Sequence, residues 1–343
     1  MSVLAEKQIR ELFDILDTSS TFLQDKLDLS YLDSLIETLD IMSNVDDVEG
    51  VEGISDSEFG SFISKIKTVD IDVMNAETVR KAIQMAVLKA SRSDKMQANY
   101  QITPDTIGNL ISYLLSGLYR NAGHITILDP AMGSGNLLGT ITNDFRSRGV
   151  NVDAIGIEND EALAELASLN FELQKSAGSL YHEDTIQDLV VGNVDTVVSD
   201  LPIGYYPIDE NTVKYKTKAN KGHSYVHHLL MEYSMDHLQP GGFGIFLVPS
   251  ELFKTEEAKG LLAWIQQTVY LQGILNLPTE LFASEQAQKS ILILQKPGKT
   301  AQQVEKVLLG EFPSFNNPAE MKRFLTMIDD WEINNFNKKS GDQ

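Results

Sequence analysis

Apolar positions recur at helical spacing from residue 3 to about residue 90, as in Ile9, Leu12, Phe13 and Leu16 and again in Val79, Ile83, Ala86 and Val87. That period predicts a small helical domain. After Asn99 the pattern changes to short β-rich runs, each followed by a helical stretch, which is how parallel strands with crossover helices read in sequence. The runs are 125–128, 152–157, 196–198, 244–248, 271–277 and 290–294. Only a turn-rich segment around Pro278 and Ala283 separates the last two, so they are expected to pair antiparallel. Past Pro297 a short strand is expected at 304–309 and a helix at 319–328, with a loose tail after Asn334. The whole predicts an α/β chain: a helical N-terminal domain over 1–95, a Rossmann-like, mostly parallel sheet with one antiparallel late strand over 96–310, and a C-terminal helix and tail over 311–343.

Composition narrows the classes. With 343 residues, 42% hydrophobic and 22% charged, the chain has the make-up of an ordinary globular protein large enough for two units. It has no cysteine, which excludes a disulfide framework, a cysteine-based zinc site and a cysteine nucleophile. The start is charged at Glu6, Lys7 and Arg10 and no long apolar run follows, so no membrane span is expected and a cytoplasmic location is. A formal net charge of -21 repels phosphate backbones at long range, so tight nonspecific nucleic-acid binding by the whole surface is disfavoured. Residues 44–58 interleave Asp46, Asp47, Glu49, Glu52, Asp56 and Glu58 with Gly50 and Gly53 and read as a solvated loop rather than a metal site.

The segment Ile125-Thr-Ile-Leu-Asp129-Pro-Ala-Met-Gly133-Ser-Gly135-Asn-Leu-Leu is an apolar strand, an acid, a glycine turn and a helix start. Glycines at 133 and 135 let the backbone turn sharply and approach a ligand, although a purely structural turn would read alike. A dinucleotide fold would carry a third glycine where Leu138 stands, and Asp129 closes the strand, so a cationic ligand fits better than a pyrophosphate. The next strand ends in Glu158 about thirty residues later, the spacing of one βαβ unit, where a carboxylate can accept both hydroxyls of a ribose. Helix capping is the other use of Glu158, but Asn159 or Asp160 can cap without it. Farther on, Asp184 can accept a hydrogen bond from an exocyclic amino group of an adenine.

The run from Val194 to Asp200 is a strand that stops at an acid, followed by Leu201-Pro202-Ile203-Gly204-Tyr205-Tyr206-Pro207, a proline-stiffened turn with two aromatics. An amine attacking an activated methyl needs chiefly to be positioned in line, with acceptors for its hydrogens that pull the flat nitrogen toward a tetrahedral, nucleophilic form. Asp200 and the Leu201 carbonyl can accept those hydrogens, with Tyr205 and Tyr206 as platforms for a ring; simple packing is the alternative use of the two tyrosines. Lys214, Lys216, Lys218 and Lys221, followed by Tyr225, form the dense basic stretch of an acidic chain, readable as a solvated loop or as a phosphate contact. His227 and His228 lie in a helical stretch one turn after His223, and with no evident carboxylate partner they read as helix packing, with no metal expected.

Taken in order, these segments resemble the N6-adenine DNA methyltransferases, particularly the modification subunit of type I restriction systems, over roughly residues 99–296. Tyr100-Gln101-Ile102-Thr103-Pro104 is similar to the family's Thr-Pro segment, Asp129-Pro-Ala-Met-Gly-Ser-Gly135 to its glycine loop, and 275–284 with 290–294 to its late strands. The resemblance implies a class I sheet and S-adenosylmethionine as cofactor. It implies that Thr103 and Pro104 contact the cofactor's methionine end, that Asp129, Pro130, Ala131, Gly133, Ser134, Gly135 and Asn136 form the binding loop, and that Glu158 holds the ribose. Asp184 with Thr185 would then serve the cofactor adenine, Ile157 would pack against it, and Asp200, Leu201 and Pro202 would serve transfer.

The sequence departs from the family where Asn/Asp-Pro-Pro-aromatic is expected: Asp200-Leu201-Pro202-Ile203 keeps the acid and loses the aromatic, so Tyr205 or Tyr206 has to stand in. Nothing after Lys296 is long enough for a separate DNA-reading domain, which leaves sequence selection to a partner subunit or absent. The expected activity is methyl transfer to an exocyclic amine, adenine N6 in DNA first, ahead of RNA. An RNA, protein or small-amine acceptor, or a noncatalytic cofactor-binding module that recruits a partner, are the alternatives.

Overall fold

The computed structural model describes residues 3–94, 102–187, 191–255, 257–282, 284–298 and 300–336. Ala283 and the tail past Phe336 lie outside the described residues, as do Tyr100 and Gln101 of the Thr-Pro segment. Four helices come first: α1 (Val3–Leu27), α2 (Tyr31–Ser43), α3 (Asp56–Ile66) and α4 (Ala76–Ser93). Their apolar stripes bury Leu12, Leu16, Leu35, Leu39, Phe62, Ile83 and Val87 in one cluster. The acidic loop is shorter than expected, because Ser55 starts α3 with a reciprocal cap. Glu58 Oε2 accepts from the Ser55 hydroxyl at 2.6 Å and from its backbone N–H at 3.3 Å, so Asp56 and Glu58 are helical.

After α5 (Asp105–Leu118) the chain builds the sheet: β1 (His124–Asp129), α6 (Asn136–Ser147), β2 (Asn151–Glu158), α7 (Glu161–Leu173), β3 (Gly178–His182), β4 (Val194–Asp200), α8 (Val226–Asp236), β5 (Leu238–Pro249), α9 (Ala258–Thr268), β6 (Tyr270–Asn276), β7 (Lys289–Gln295) and β8 (Leu308–Glu311). The strand order is β3-β2-β1-β4-β5-β7-β6-β8. All neighbours pair parallel except β7, which runs antiparallel to both β5 and β6, the orientation predicted for the last two apolar runs. The late strand starts four residues beyond its expected start, at Leu308, and adds to the edge beside β6. Strand centres are nearly all apolar because both faces are covered, as a parallel sheet requires.

One face packs Ile111, Leu115, Leu138 and Ile141 of α5 and α6 against Ile125, Ile127, Ile245 and Ile293. The other packs Leu229, Leu230, Leu261 and Trp264 of α8 and α9 against Leu128, Val197, Phe246 and Leu292. The last helix, α10 (Pro318–Phe336), is longer than the 319–328 expected and lies on the first face through Ile328, Phe324 and Trp331. The helical layer does not stand apart either: Leu163, Leu166, Leu169 and Leu173 of α7 complete its core. Among the described residues no helix is long and apolar enough to cross a membrane.

Candidate active site

Strand order reverses at β1, which lies between β2 and β4. In open α/β sheets the crevice outside the carboxyl ends at such a reversal is where ligands bind. Asp129, Glu158 and Asp200 end these three adjoining strands. Asp129 is buried; its Oδ1 accepts from the Ala131 N–H at 3.1 Å and from the Ser199 hydroxyl at 2.8 Å. Burial pushes its carboxyl up to about 7 against those two bonds, and the charges of Glu158 and Asp200 push the same way.

Glu158 is also buried, and its Oε2 accepts the Gly133 N–H at 2.8 Å while Oε1 accepts those of Asn159 at 2.9 Å and Asp160 at 3.0 Å. Burial raises its pKa and the three N–H groups pull it back. The cap of α7 is Asp160, whose side chain accepts from Leu163 N–H at 3.0 Å, so Glu158 is not that cap. Ile157 is fully buried among core side chains. Its side chain points into the core on the face that α8 and α9 cover.

The glycine loop divides its work. Gly135 has φ 75° and stands where a Cβ would come within 3.2 Å of the Phe171 ring and 3.3 Å of Ala167, so its bareness serves close packing of α6 on α7. Gly133 has φ 54° and open space in the direction a side chain would take. The N–H groups of Ala131, Met132, Gly133 and Gly135 are all bonded, to Asp129, the Ile157 carbonyl, Glu158 and the Met132 carbonyl. A phosphate cradle would aim such groups at the ligand. Pro130 is buried and its carbonyl takes the Thr185 hydroxyl at 2.6 Å, while the Ser134 carbonyl accepts from Asn170 at 3.2 Å. Thr185 therefore ties the loop after β3 to the glycine loop.

Thr103 sits just before Pro104, the first residue outside α5, and donates its hydroxyl to Asp200 Oδ2 at 3.0 Å. Asn136, expected among the binding residues, is buried instead. Its amide nitrogen donates to the Thr103 carbonyl at 2.9 Å and its oxygen accepts from Arg80 at 2.5 Å. The other oxygen of Asp200, Oδ1, pairs with the Lys289 ammonium. Lys289 opens the antiparallel β7, and only that reversed direction brings the start of a strand to the edge where β4 and β5 end.

At the turn, the Leu201 side chain is buried, Pro202 is half-buried and Ile203 is exposed. Tyr205 is 56% exposed and stacks on Tyr225 with centroids 4.6 Å apart and planes 13° from parallel. Tyr206 is turned inward. Its ring is buried and its hydroxyl donates to Asp184 Oδ2 at 2.5 Å while accepting from Asn211 at 2.9 Å. Burial and that carboxylate push its phenol up to about 12. Asp184 Oδ1 accepts the Ile186 N–H at 3.0 Å, so Asp184 links the β3 loop to the turn after β4.

Lys214, Lys216, Lys218 and Lys221 are exposed. The loop carrying them is pinned by Glu232, which accepts the N–H groups of Lys216 at 3.0 Å and Thr217 at 2.8 Å, and Lys214 donates to the Gln187 carbonyl at 2.9 Å. His227 and His228 are buried in α8, and burial pushes them down to about 3 and about 4. His223 does have a carboxylate beside it, Asp209 at 3.1 Å, a contact sequence separation concealed.

Ser199 and Lys289, which bond Asp129 and Asp200, and Arg80, which bonds Asn136, were not among the expected site residues, and Tyr225 was named only beside the lysine run. Ser199 immediately precedes the acid, and Arg80 is a cation inside the apolar stripe of α4, three before Ile83. Both carried a signal. Lys289, and the stacking of Tyr225 on Tyr205, carried none without the register of β7 and the fold of the turn. The donor set suits a positively charged nucleoside: Asp129 and Glu158 at adjoining strand ends are held by N–H and hydroxyl donors, with Asp200 beside them balanced by Lys289, the loop N–H groups are satisfied, and there is clear space at Gly133.

Residues 87–338 match the N-6 DNA methylase family, and residues 10–91 match the YtxK N-terminal helical domain. The chain is 34% identical over 328 residues to the uncharacterised protein YtxK of Bacillus subtilis (strain 168), covering 96% of this chain and 98% of that one. It is similar to the crystal structure of a proposed class I S-adenosylmethionine-dependent methyltransferase from Listeria monocytogenes, with TM-score 0.89, 34% identity, and coverage of 95% of this chain and 99% of that one. It also shares its fold with the type I restriction-modification methyltransferase subunit of Streptococcus thermophilus, at TM-score 0.63 and 14% identity over 92% of this chain and 74% of that one.

Proposed function

The chain belongs to the N-6 DNA methylase family, and from that premise we propose that it transfers a methyl group to an exocyclic amine, adenine N6 in DNA being the acceptor. It is a methyltransferase of that family, with S-adenosylmethionine as cofactor. The observation that carries the reading is the convergence of Asp129, Glu158 and Asp200 at the ends of three adjoining strands around the reversal of the sheet. When bound, the cofactor supplies an electrophilic methyl on a sulfonium.

The chain's residues have separable tasks in this reading. Asp129 supplies buried negative charge, and Glu158, anchored through the loop, accepts the ribose hydroxyls by exchanging the Gly133 bond or using its remaining lone pairs. Thr103 fixes the plane of the Asp200 carboxylate, which together with the Leu201 carbonyl accepts hydrogen bonds from the incoming amine, one proton leaving the nitrogen as the methyl arrives. Tyr205, backed by Tyr225, offers its free face to the acceptor ring in place of the aromatic that Ile203 displaces. Lys214, Lys216, Lys218 and Lys221 meet the backbone phosphates near the turn. The net charge of -21 favours a second reading with the same chemistry and a different acceptor, a protein side chain or small amine.

Calorimetry with S-adenosylmethionine on the wild type and Glu158→Ala tests the cofactor assignment: binding by the first and loss by the second are expected. Labelled methyl transfer to genomic DNA, RNA and lysate tests the acceptor. Label entering DNA at N6 supports the proposal, and label entering only protein or small molecules replaces it with the second reading. Asp200→Ala is expected to abolish transfer while retaining cofactor binding; undiminished turnover removes Asp200 from the reaction.

A further inference from the structure

Arg80 lies on α4, in the helical layer, far in sequence from every strand-end acid, yet its side chain is fully buried. All five guanidinium N–H donors are used. Nε donates to Glu77 Oε2 at 2.8 Å and one terminal nitrogen to Glu77 Oε1 at 2.7 Å. That nitrogen and its twin reach the two oxygens of Asp105, each at 3.0 Å, and the twin also donates to Asn136 Oδ1 at 2.5 Å. Burial opposes the charged form, but the bonds to Glu77 and Asp105 outweigh it and raise the pKa. Lys81 shares the same carboxylates at 3.3 and 3.9 Å, so two cations face two anions. Gly139 leaves room for the stem: a Cβ there would stand 3.3 Å from Arg80 Cδ.

The groups Arg80 holds are the starts of two elements. Asp105 opens α5 right after Thr103-Pro104, and Asn136 opens α6 right after Gly135. From Asn136 the bonds continue to the Thr103 carbonyl and from the Thr103 hydroxyl to Asp200. An unbroken chain of hydrogen bonds thus joins a helix of the N-terminal layer to the carboxylate at the acceptor turn. A planar fork with fixed donor directions sets angles as well as distances, which a lysine cannot do.

We propose that Arg80 is a positioning residue of the methyl-transfer site, acting through Asn136 and Thr103 to set the cofactor loop and Asp200. The helical layer is then a part of the active site and not an appendage to it. The inference rests on the methyltransferase reading, since its importance lies in what Asp200 and the glycine loop do.

Three variants of the full chain test it: Arg80→Met, Arg80→Lys and Asn136→Asp. The last keeps an acceptor for the guanidinium and turns the donor to Thr103 into an acceptor that repels its carbonyl, so it breaks that bond while leaving Arg80 all its partners, which Arg80→Met does not. S-adenosylmethionine affinity is measured by calorimetry beside the melting temperature, and amide exchange at Ile107 and Gly108, which bond the Pro104 carbonyl, is followed without ligand. Arg80→Met and Asn136→Asp are expected to weaken cofactor binding by on the order of tenfold or more. Arg80→Lys should restore only part of that loss, and Asn136→Asp should quicken exchange at the start of α5 with little change in melting temperature. A lowered melting temperature with affinity and exchange of Asn136→Asp unchanged would reduce Arg80 to a packing residue and overturn the proposal. A wild type that binds no S-adenosylmethionine overturns the methyltransferase reading instead, and the exchange experiment still reports on the bond chain.

Discussion

At the residue scale, the site concentrates negative charge where water is excluded, and the consequence falls most heavily on Asp129. Its carboxyl stands at about 7 against an ordinary 3.8, chiefly because burial penalises the ion. A group whose folded pKa is raised contributes stability that is complete below its ordinary value and is lost as pH climbs through the folded value. Wild-type stability should therefore fall between about pH 4 and pH 8 by an Asp129-dependent amount of roughly 2–4 kcal/mol, and Asp129→Asn should flatten that fall. Urea titrations across this range measure it. Cofactor binding should run the other way: a cationic ligand favours the ionised carboxylate, so affinity weakens as pH drops from 8 to 6 and binding releases a proton. Calorimetry in two buffers of different ionisation heat detects that proton, and an identical heat in both removes Asp129 from the linkage.

Turns and helix starts carry the next level of the argument, and the paired glycines show how one motif holds two functions. Gly135 combines a left-handed backbone with a neighbour at 3.2 Å, so Gly135→Ala should cost about 1–3 kcal/mol of stability, read by urea unfolding. Gly133 has the strained φ but no neighbour, so Gly133→Ala should cost about 1 kcal/mol of stability while placing a methyl where the cofactor is proposed to lie. A drop in affinity larger than the drop in stability is expected for Gly133→Ala, with the reverse order for Gly135→Ala. The other decisive element is β7. Its reversed direction places the start of a strand, with Lys289, at the edge where β4 and β5 end.

Across the whole molecule, the helical layer and the sheet are joined by the leucines of α7 and by Arg80, so neither buries its apolar surface without the other. Thermal unfolding is accordingly expected as one calorimetric transition; two well-separated peaks would show that the layers fold independently. Charge belongs to this scale as well. An excess of -21 opposes any polyanion, and the exposed lysines from 214 to 221 are the local exception beside the acceptor turn. Lys216→Glu together with Lys218→Glu should weaken DNA affinity and reduce the slope of log affinity against log salt by roughly 2. An unaltered slope would detach this loop from the nucleic acid.

Much of this was settled by sequence because it is local. Strand runs, the glycine turn and the acids that end β1, β2 and β4 follow from period, from φ requirements and from the chain spacing of a βαβ unit, all properties of neighbouring residues. Even the antiparallel pairing of β6 and β7 was legible, since too few residues separate them for a crossover. What tertiary structure alone decided is which distant groups share a bond. The ion pair of Lys289 with Asp200, the bond of Tyr206 to Asp184, and the run from Arg80 through Asn136 and Thr103 join residues many tens of positions or whole elements apart. Such contacts depend on strand order, register and helix docking together, and no local pattern along a single chain encodes those three at once.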